Sequence, residues 1–236
     1  MVDFEKEFET PSYRTESRTT LIARTFRIVY GWMSAGLALS GVLAWYTAMT
    51  PSLSEAVLPH LKLLLIAEVL VVLGLTAALN KIPVFFAYLL FLGYAALNGL
   101  TLSAIFLVYD LAVIQKVFFI TSGMFAGLAL WGTFTKNDLT SIGSFCGMAL
   151  WGLIIAGLVN LFMHSERLDF ICSFVGVLVF VGLTMYDAQK IKTMAAQESQ
   201  QDTQTLHRVG IMGALALYLD FINLFLHILR YFGRKR

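Results

Sequence analysis

The chain has 236 residues, 58% of them hydrophobic and 14% charged, with a mean hydropathy of +0.75. An ordinary soluble domain is about 45–50% apolar and about 25% charged, so this composition belongs to a membrane protein. A formal net charge of +2, scattered over loops and tails without forming a basic stripe, excludes nucleic acid as a partner.

A helix that crosses hydrocarbon needs about 20 mostly apolar residues, and charge-poor windows supply seven of them. Residues 1–25 read as a polar tail with no apolar core, so no signal peptide is expected there and the first apolar segment stays in the membrane. Residues 26–236 then form one seven-helix domain. Span one is expected at about 28–49 and span two at about 63–79, interrupted by Glu68. A short turn holding Lys81 leads into span three at about 84–109, after which residues 110–116 turn the chain. Span four covers about 117–134, and the tight loop TKNDL leads into span five at about 139–163. Span six covers about 170–191, residues 192–208 form the longest internal polar stretch, and span seven covers about 209–232. Helices are required because an unpaired backbone amide in lipid costs several kcal/mol and the alternation of a barrel is missing.

The basic residues orient the bundle. Lys6, Arg14, Arg18, Arg24, Arg27, Lys81, Lys136, Lys190, Lys192 and Arg208 fall on the amino-terminal side, against Lys62, Lys116 and Arg167 in the opposite loops. The positive-inside rule therefore predicts a cytoplasmic amino terminus. The basic tail after Arg230 argues the other way, but span seven is long enough to cross fully. Glycine pairs four apart, Gly123 with Gly127 and Gly143 with Gly147, predict faces where helix backbones approach closely. Cys146 and Cys172 lie inside apolar runs and read as small buried hydrophobes.

Two acids stand out. Asp187 closes the run VGVLVFVGLTMYD, and Asp220 sits within GIMGALALYLDFINLFLHIL. A carboxylate in the middle of a span costs roughly 2.5–3.5 kcal/mol on insertion scales and must face protein, water or an ion. Asp220, Asn223 and His227 share one face of span seven, and Thr184 lies one turn from Asp187 on span six, within hydrogen-bonding distance of its surroundings. Packing span seven against span six turns both acids inward; they meet if span six continues below the membrane surface or span seven begins lower than about residue 209, and there they can share a proton or hold a cation. Glu68 is a third intramembrane acid at another depth, as a cation path would need. Asn98, Thr101 and Asn160 are expected to make interhelical hydrogen bonds.

Signatures of enzymes are missing: no GxSxG, HExxH, Walker-type GxxxxGK, GxGxxG or CxxC occurs. The four histidines have no metal-ligand spacing. The loops are too short for a soluble catalytic domain. The expectation is a non-enzymatic protein without a cofactor, intramembrane proteolysis by paired aspartates remaining a remote alternative.

The runs VGLTMYDAQKIK and ALYLDFINLFLHILRYFG, with the TKNDL loop, the LVNLF run and the GWM of span one, resemble the Bax inhibitor-1 family, also called the transmembrane BAX inhibitor motif family, in its bacterial inner-membrane branch. The resemblance covers nearly the whole chain. It implies an all-α integral membrane bundle of seven helices with the seventh central, wrapped by two three-helix layers. It also implies a pH-sensitive calcium leak in which Asp187 and Asp220 are the proton sensor and the metal-facing residues. Glu68, Asn223 and Thr184 are the expected ion path. Some members carry an arginine at the cytoplasmic end of the second helix as a latch on the first sensor aspartate; here that position falls on Leu79 or Asn80, which leaves Lys81 as the latch cation. The implied partners are the bilayer, Ca²⁺ and protons. The alternatives are regulation of a membrane-anchored protease through the amino-terminal tail, and proton-coupled transport of a small solute.

Overall fold

The computed structural model describes residues 18–79, 81–197 and 203–233. Its helices in chain order are α1 (Arg18–Met49), α2 (Pro51–Val57), a 3₁₀ turn (Leu58–His60), α3 (Leu61–Ala78), α4 (Val84–Leu102), α5 (Ile105–Val108), α6 (Leu111–Phe134), α7 (Thr140–Met163), α8 (Glu166–Gln197) and α9 (Thr203–Phe232). Taking α2 with α3 and α4 with α5, seven helical segments are long and apolar enough to cross a membrane.

The expected spans hold their places but several helices outrun them. α1 starts at Arg18, so residues 18–25 belong to a helix and only residues 1–17 of the expected tail lie outside the described residues. Leu21, Thr25 and Phe26 are buried while Arg24 and Arg27 are exposed, so this extension is held by an apolar stripe with its charges turned to water. The polar stretch 192–208 is helical on both sides: α8 runs on to Gln197 and α9 begins at Thr203, leaving 198–202 outside the described residues. Arg18 Nε donates to Ala196 O at 3.1 Å, tying the α8 extension to α1. Asp110 is the residue before α6, which starts at Leu111, so the expected turn at 110–116 is mostly helix. Span three breaks after Leu102, where Ser103 N and Ala104 N turn back to Leu100 O and Thr101 O, the tighter i to i−3 pattern that ends an α-helix.

The turns explain why neighbouring helices run antiparallel. His164 adopts a left-handed conformation (φ 50°) after α7, with its N–H donating to Asn160 O at 2.8 Å, and Ser165 N donates to Asn160 Oδ1 at 2.9 Å. Asn160 therefore closes the α7–α8 hairpin instead of bonding another span. At the opposite end, Gln189 of α8 reaches across the TKNDL loop, accepting from Leu139 N at 2.8 Å and donating to Asn137 O at 2.7 Å. Asp138 accepts both the N–H and the hydroxyl of Thr140, which holds its exposed carboxyl below the ordinary carboxylate range.

α9 is the most enclosed helix. Of its apolar stretch, 72% is buried, against 11% for α3 and for α7. It packs on α8, α1, α6 and α4, whereas α3 packs chiefly on α4 and α7 chiefly on α8. The core runs along α9 through Ile211, Leu217, Tyr218, Leu224 and Leu229. Exposed Phe119, Leu130, Trp131, Phe145, Met148 and Phe162 lie on the outer helices, the inside-out polarity expected where the surroundings are lipid.

The expected glycine pairs are used only in part. A side-chain carbon at Gly123, Gly127 or Gly147 would meet nothing within 4 Å, while one at Gly143 would run into the Tyr186 ring and one at Gly132 into the backbone of Met185. The close approaches are between α6 and α8 at Gly132 and between α7 and α8 at Gly143. Gly132→Ala is therefore expected to force α6 off α8 at a cost of about 1–3 kcal/mol, the range for overpacking. Gly123→Ala, facing open space, leaves the unfolding temperature in detergent unchanged. Thermal unfolding of the two variants side by side measures the difference.

Candidate functional site

Helices α8 and α9 lie against each other in antiparallel register from end to end. Phe170 stacks on Tyr231 with ring centroids 5.0 Å apart and Phe180 on His227 at 5.6 Å. Gly176 makes room for the His227 ring, and Gly213 for Ile191 and Val29. Within this ladder the carboxyls of Asp187 and Asp220 are each other's side-chain partners. The register set by Phe180 on His227 and by Ile191 at Gly213 puts Asp187 opposite Asp220; Asp187 lies about 15 Å along α8 from its end and Asp220 about 26 Å along α9 from its start, at 1.5 Å per residue.

Their surroundings differ. Asp220 is 4% exposed, and its Oδ2 is buried with no hydrogen-bond partner. Asp187 is half-buried, one turn before Lys190, whose Nζ lies 5.8 Å from the centre of the Tyr186 ring. Thr184 is fully buried, but its hydroxyl donates to Phe180 O at 2.7 Å within its own helix and not to Asp187. A buried oxygen left unpaired in low dielectric is expensive. Among the described residues no three acidic, histidine or cysteine side chains converge on one point. The pair thus offers a cation two carboxylates and no closed cage.

A cavity of about 630 Å³ opens at the end of the bundle opposite the amino terminus and reaches down to Phe180, Asn223 and His227. Asn223 is one turn from Asp220 on α9. Its amide N–H donates to Leu219 O at 2.8 Å, which leaves its carbonyl oxygen as the polar group for the cavity. The His227 Nδ1 is buried without a partner beside it.

On the opposite side of α9, a second buried polar cluster joins four helices. Glu68 of α3, only 7% exposed on an otherwise lipid-facing helix, accepts from the Thr101 hydroxyl of α4 and faces the Asn98 side chain. Tyr218 of α9 donates to Asn98 Oδ1 at 3.1 Å, and its hydroxyl lies 2.7 Å from Ser40 Oγ of α1. Ser40 in turn donates to Ala95 O at 2.7 Å. Asn98 and Thr101 thus make the interhelical bonds expected of them. Tyr218 and Ser40 are new members: in the sequence, one is an aromatic in an apolar run and the other a lone serine, and neither signals a polar role until the helices meet.

Lys81, the expected latch cation, lies in the α3–α4 turn. Its side chain is exposed there and forms no ion pair among the described residues. Arg208 of α9 is a cation at that end whose guanidinium donates to Leu79 O at 2.9 Å, capping the carbonyl end of α3 where a positive charge is favoured. Beside it His207 Nδ1 lies 2.9 Å from the Tyr88 hydroxyl, with Trp32 stacked on the Tyr88 ring at 4.1 Å. Arg208 is basic at a helix start, so nothing local marks it as the partner of another helix's end.

Residues 22–236 match the family described as Inhibitor of apoptosis-promoting Bax1. The chain is 46% identical over 211 residues to the inner membrane protein YbhL of Escherichia coli K12, covering 88% of this chain and 90% of that one. It is 43% identical over 226 residues to a protein of Borreliella burgdorferi (94% and 97% covered) and 37% identical over 243 aligned positions to protein RP147 of Rickettsia prowazekii, both chains covered in full. With a family match over nearly the whole length and relatives of this identity along it, the chain belongs to the Bax inhibitor-1 family.

Proposed function

We propose that this protein is a pH-sensitive, calcium-permeable leak of a bacterial inner membrane, with its amino terminus in the cytoplasm, and that the protonation state of the Asp187–Asp220 pair sets its conductance. The observation that carries the reading is the buried carboxyl of Asp220, paired inside the bundle with that of Asp187 and with its Oδ2 given no other hydrogen-bond partner among the described residues. Two carboxyls in mutual contact do not ionise independently; they exchange protons as a unit. One shared proton ties α8 to α9. Loss of that proton leaves two negative charges, which separate or draw in a cation, and Ca²⁺ is a hard ion that takes carboxylate and carbonyl oxygens.

The path runs from the far cavity past Asn223 to the acid pair. The location of YbhL in the inner membrane, given by its name, and the basic residues of the amino-terminal side support the compartment and orientation. Glu68, across α9 behind the Tyr218 cluster, serves as a second acidic stage of the path. Its Thr101 and Asn98 donors hold it in place for that role. The expected regulation of a protease through the tail rests mostly on residues 1–17, which lie outside the described residues.

Purified protein in liposomes should pass Ca²⁺ at a rate that changes several-fold between about pH 5 and pH 8, and Asp220→Asn should flatten that profile while the protein remains folded. A Ca²⁺-dye flux series records both, and an unaltered pH profile in the variant rejects the reading. Glu68→Gln keeps an acceptor for Thr101 and is expected to lower flux with little change in unfolding temperature. Glu68→Leu strands the Asn98 amide donor and leaves Thr101 only its own-helix acceptor, Asn98 O at 2.9 Å, and is expected to destabilise the fold by about 1–3 kcal/mol. Flux and thermal unfolding on the two variants separate the charge of Glu68 from its packing.

A further inference from the structure

We propose that the far-end cavity is a binding site for one phospholipid bearing a phosphate and a primary ammonium group. The site goes beyond the ion-leak reading and stands whether or not the chain conducts ions.

Its lining is divided by chemistry along the membrane normal. One wall is α7, where Leu150, Leu153, Ile154 and Leu158 line the cavity. Their spacing puts them on one helix face over about 12 Å. Gly157 lies in the same wall, and a side chain there would meet nothing within 4 Å, so the wall is recessed at that level. An acyl chain lying in this recess covers Ile154 and Leu158, which are 44% and 55% exposed.

The mouth is ionic and of both signs. Lys62 at the start of α3, Glu166 at the start of α8 and Arg230 near the end of α9 line it, all three exposed, and Asp169 of α8 lines it as a second, half-buried carboxylate near Arg230, so that two basic and two acidic groups face the cavity. They sit at helix ends, the level of lipid headgroups, and they come from three helices. α3 packs chiefly on α4 and α7 chiefly on α8, and Lys62 lines the cavity together with the α7 residues. Guanidinium and ammonium groups match a phosphate, and the Glu166 carboxylate matches a primary ammonium. An anionic glycerol headgroup brings no cation to Glu166, and a choline headgroup brings no N–H donor. Charge complementarity therefore selects the ethanolamine type, with the tail chemistry supplied by the α7 wall.

The test uses the full chain, delipidated in detergent and titrated separately with phosphatidylethanolamine, phosphatidylglycerol and phosphatidylcholine, with native mass spectrometry as the readout. One phosphatidylethanolamine per chain is expected, bound about tenfold more tightly than the other two, the worth of roughly one charge-assisted hydrogen bond. Glu166→Gln should remove the preference over phosphatidylglycerol, and the pair Lys62→Gln with Arg230→Gln should weaken all three lipids. Gly157→Leu should weaken all three by filling the recess while the headgroup residues stay. Lys116→Gln, a basic residue at the same end but outside the cavity, should change nothing. Equal binding of the three lipids, a preference for phosphatidylglycerol, or a phosphatidylethanolamine preference that survives both Glu166→Gln and Gly157→Leu overturns the assignment. Ca²⁺ flux is not part of this readout, so a chain that binds the lipid but passes no ions leaves this site standing and removes only the leak.

Discussion

A carboxyl group placed deep in an apolar helix has to be enclosed by protein, and the arrangement of this bundle follows from two such enclosures made around one helix. α9 carries Asp220 on the face toward α8 and Tyr218 on the face toward α1 and α4. A helix polar on two sides cannot turn either side to lipid without losing several kcal/mol per stranded group. It is therefore the segment whose apolar stretch is most buried, at 72%. The lipid-facing work falls to α3 and α7, which are apolar nearly all round and need one contact face each.

The α3 helix shows how a single polar residue decides a docking mode. Without Glu68 its sequence offers little to distinguish one face from another, since apolar side chains gain no hydrophobic advantage from leaving lipid for protein. Glu68 has to find donors, and Thr101 and Asn98 on α4 provide them. At the membrane surface Arg208 then fixes the end of the same helix through Leu79 O. Two polar contacts, one at mid-depth and one at the end, set both the rotation and the height of α3.

Much of this was legible in the sequence because hydrocarbon imposes a simple rule. Runs of about 20 residues with little charge can only be helices that cross, so the seven segments and the three acids within them are visible without coordinates. Helix ends were less legible. Nothing forces a helix to stop at the membrane surface, so α1, α8 and α9 continue through residues 18–25, 192–197 and 203–208, where the polar residues look like tail or loop. Glycine spacing misled for a related reason: Gly123 and Gly127 have the small-residue pattern but face open space, while Gly132 and Gly143 receive the neighbouring helix. Spacing along one helix gives the face, and only the partner helix tells which face is used. Lys81 and Arg208 illustrate the same limit, since the charge nearest in sequence to a helix end is not the one nearest in space.

On the proposed function, the two polar faces of α9 have a mechanical consequence. The pair with Asp187 and the bond to Asn98 are made by residues two positions apart on an unbroken helix of 30 residues, so any rotation that opens one contact displaces the other. Rotation about the helix axis by a few tens of degrees is resisted on one side by carboxyl contact and on the other by the Tyr218, Ser40 and Asn98 bonds. Deprotonation weakens only the first. The Tyr218 cluster then acts as the fixed bearing against which α8 moves, because α8 shares no hydrogen bond with that cluster and is joined to α9 mainly through rings, glycines and the acid pair. The element expected to shift on a change of charge is accordingly α8 with α7 attached to it, and the half built from α1, α3 and α4 stays with α9.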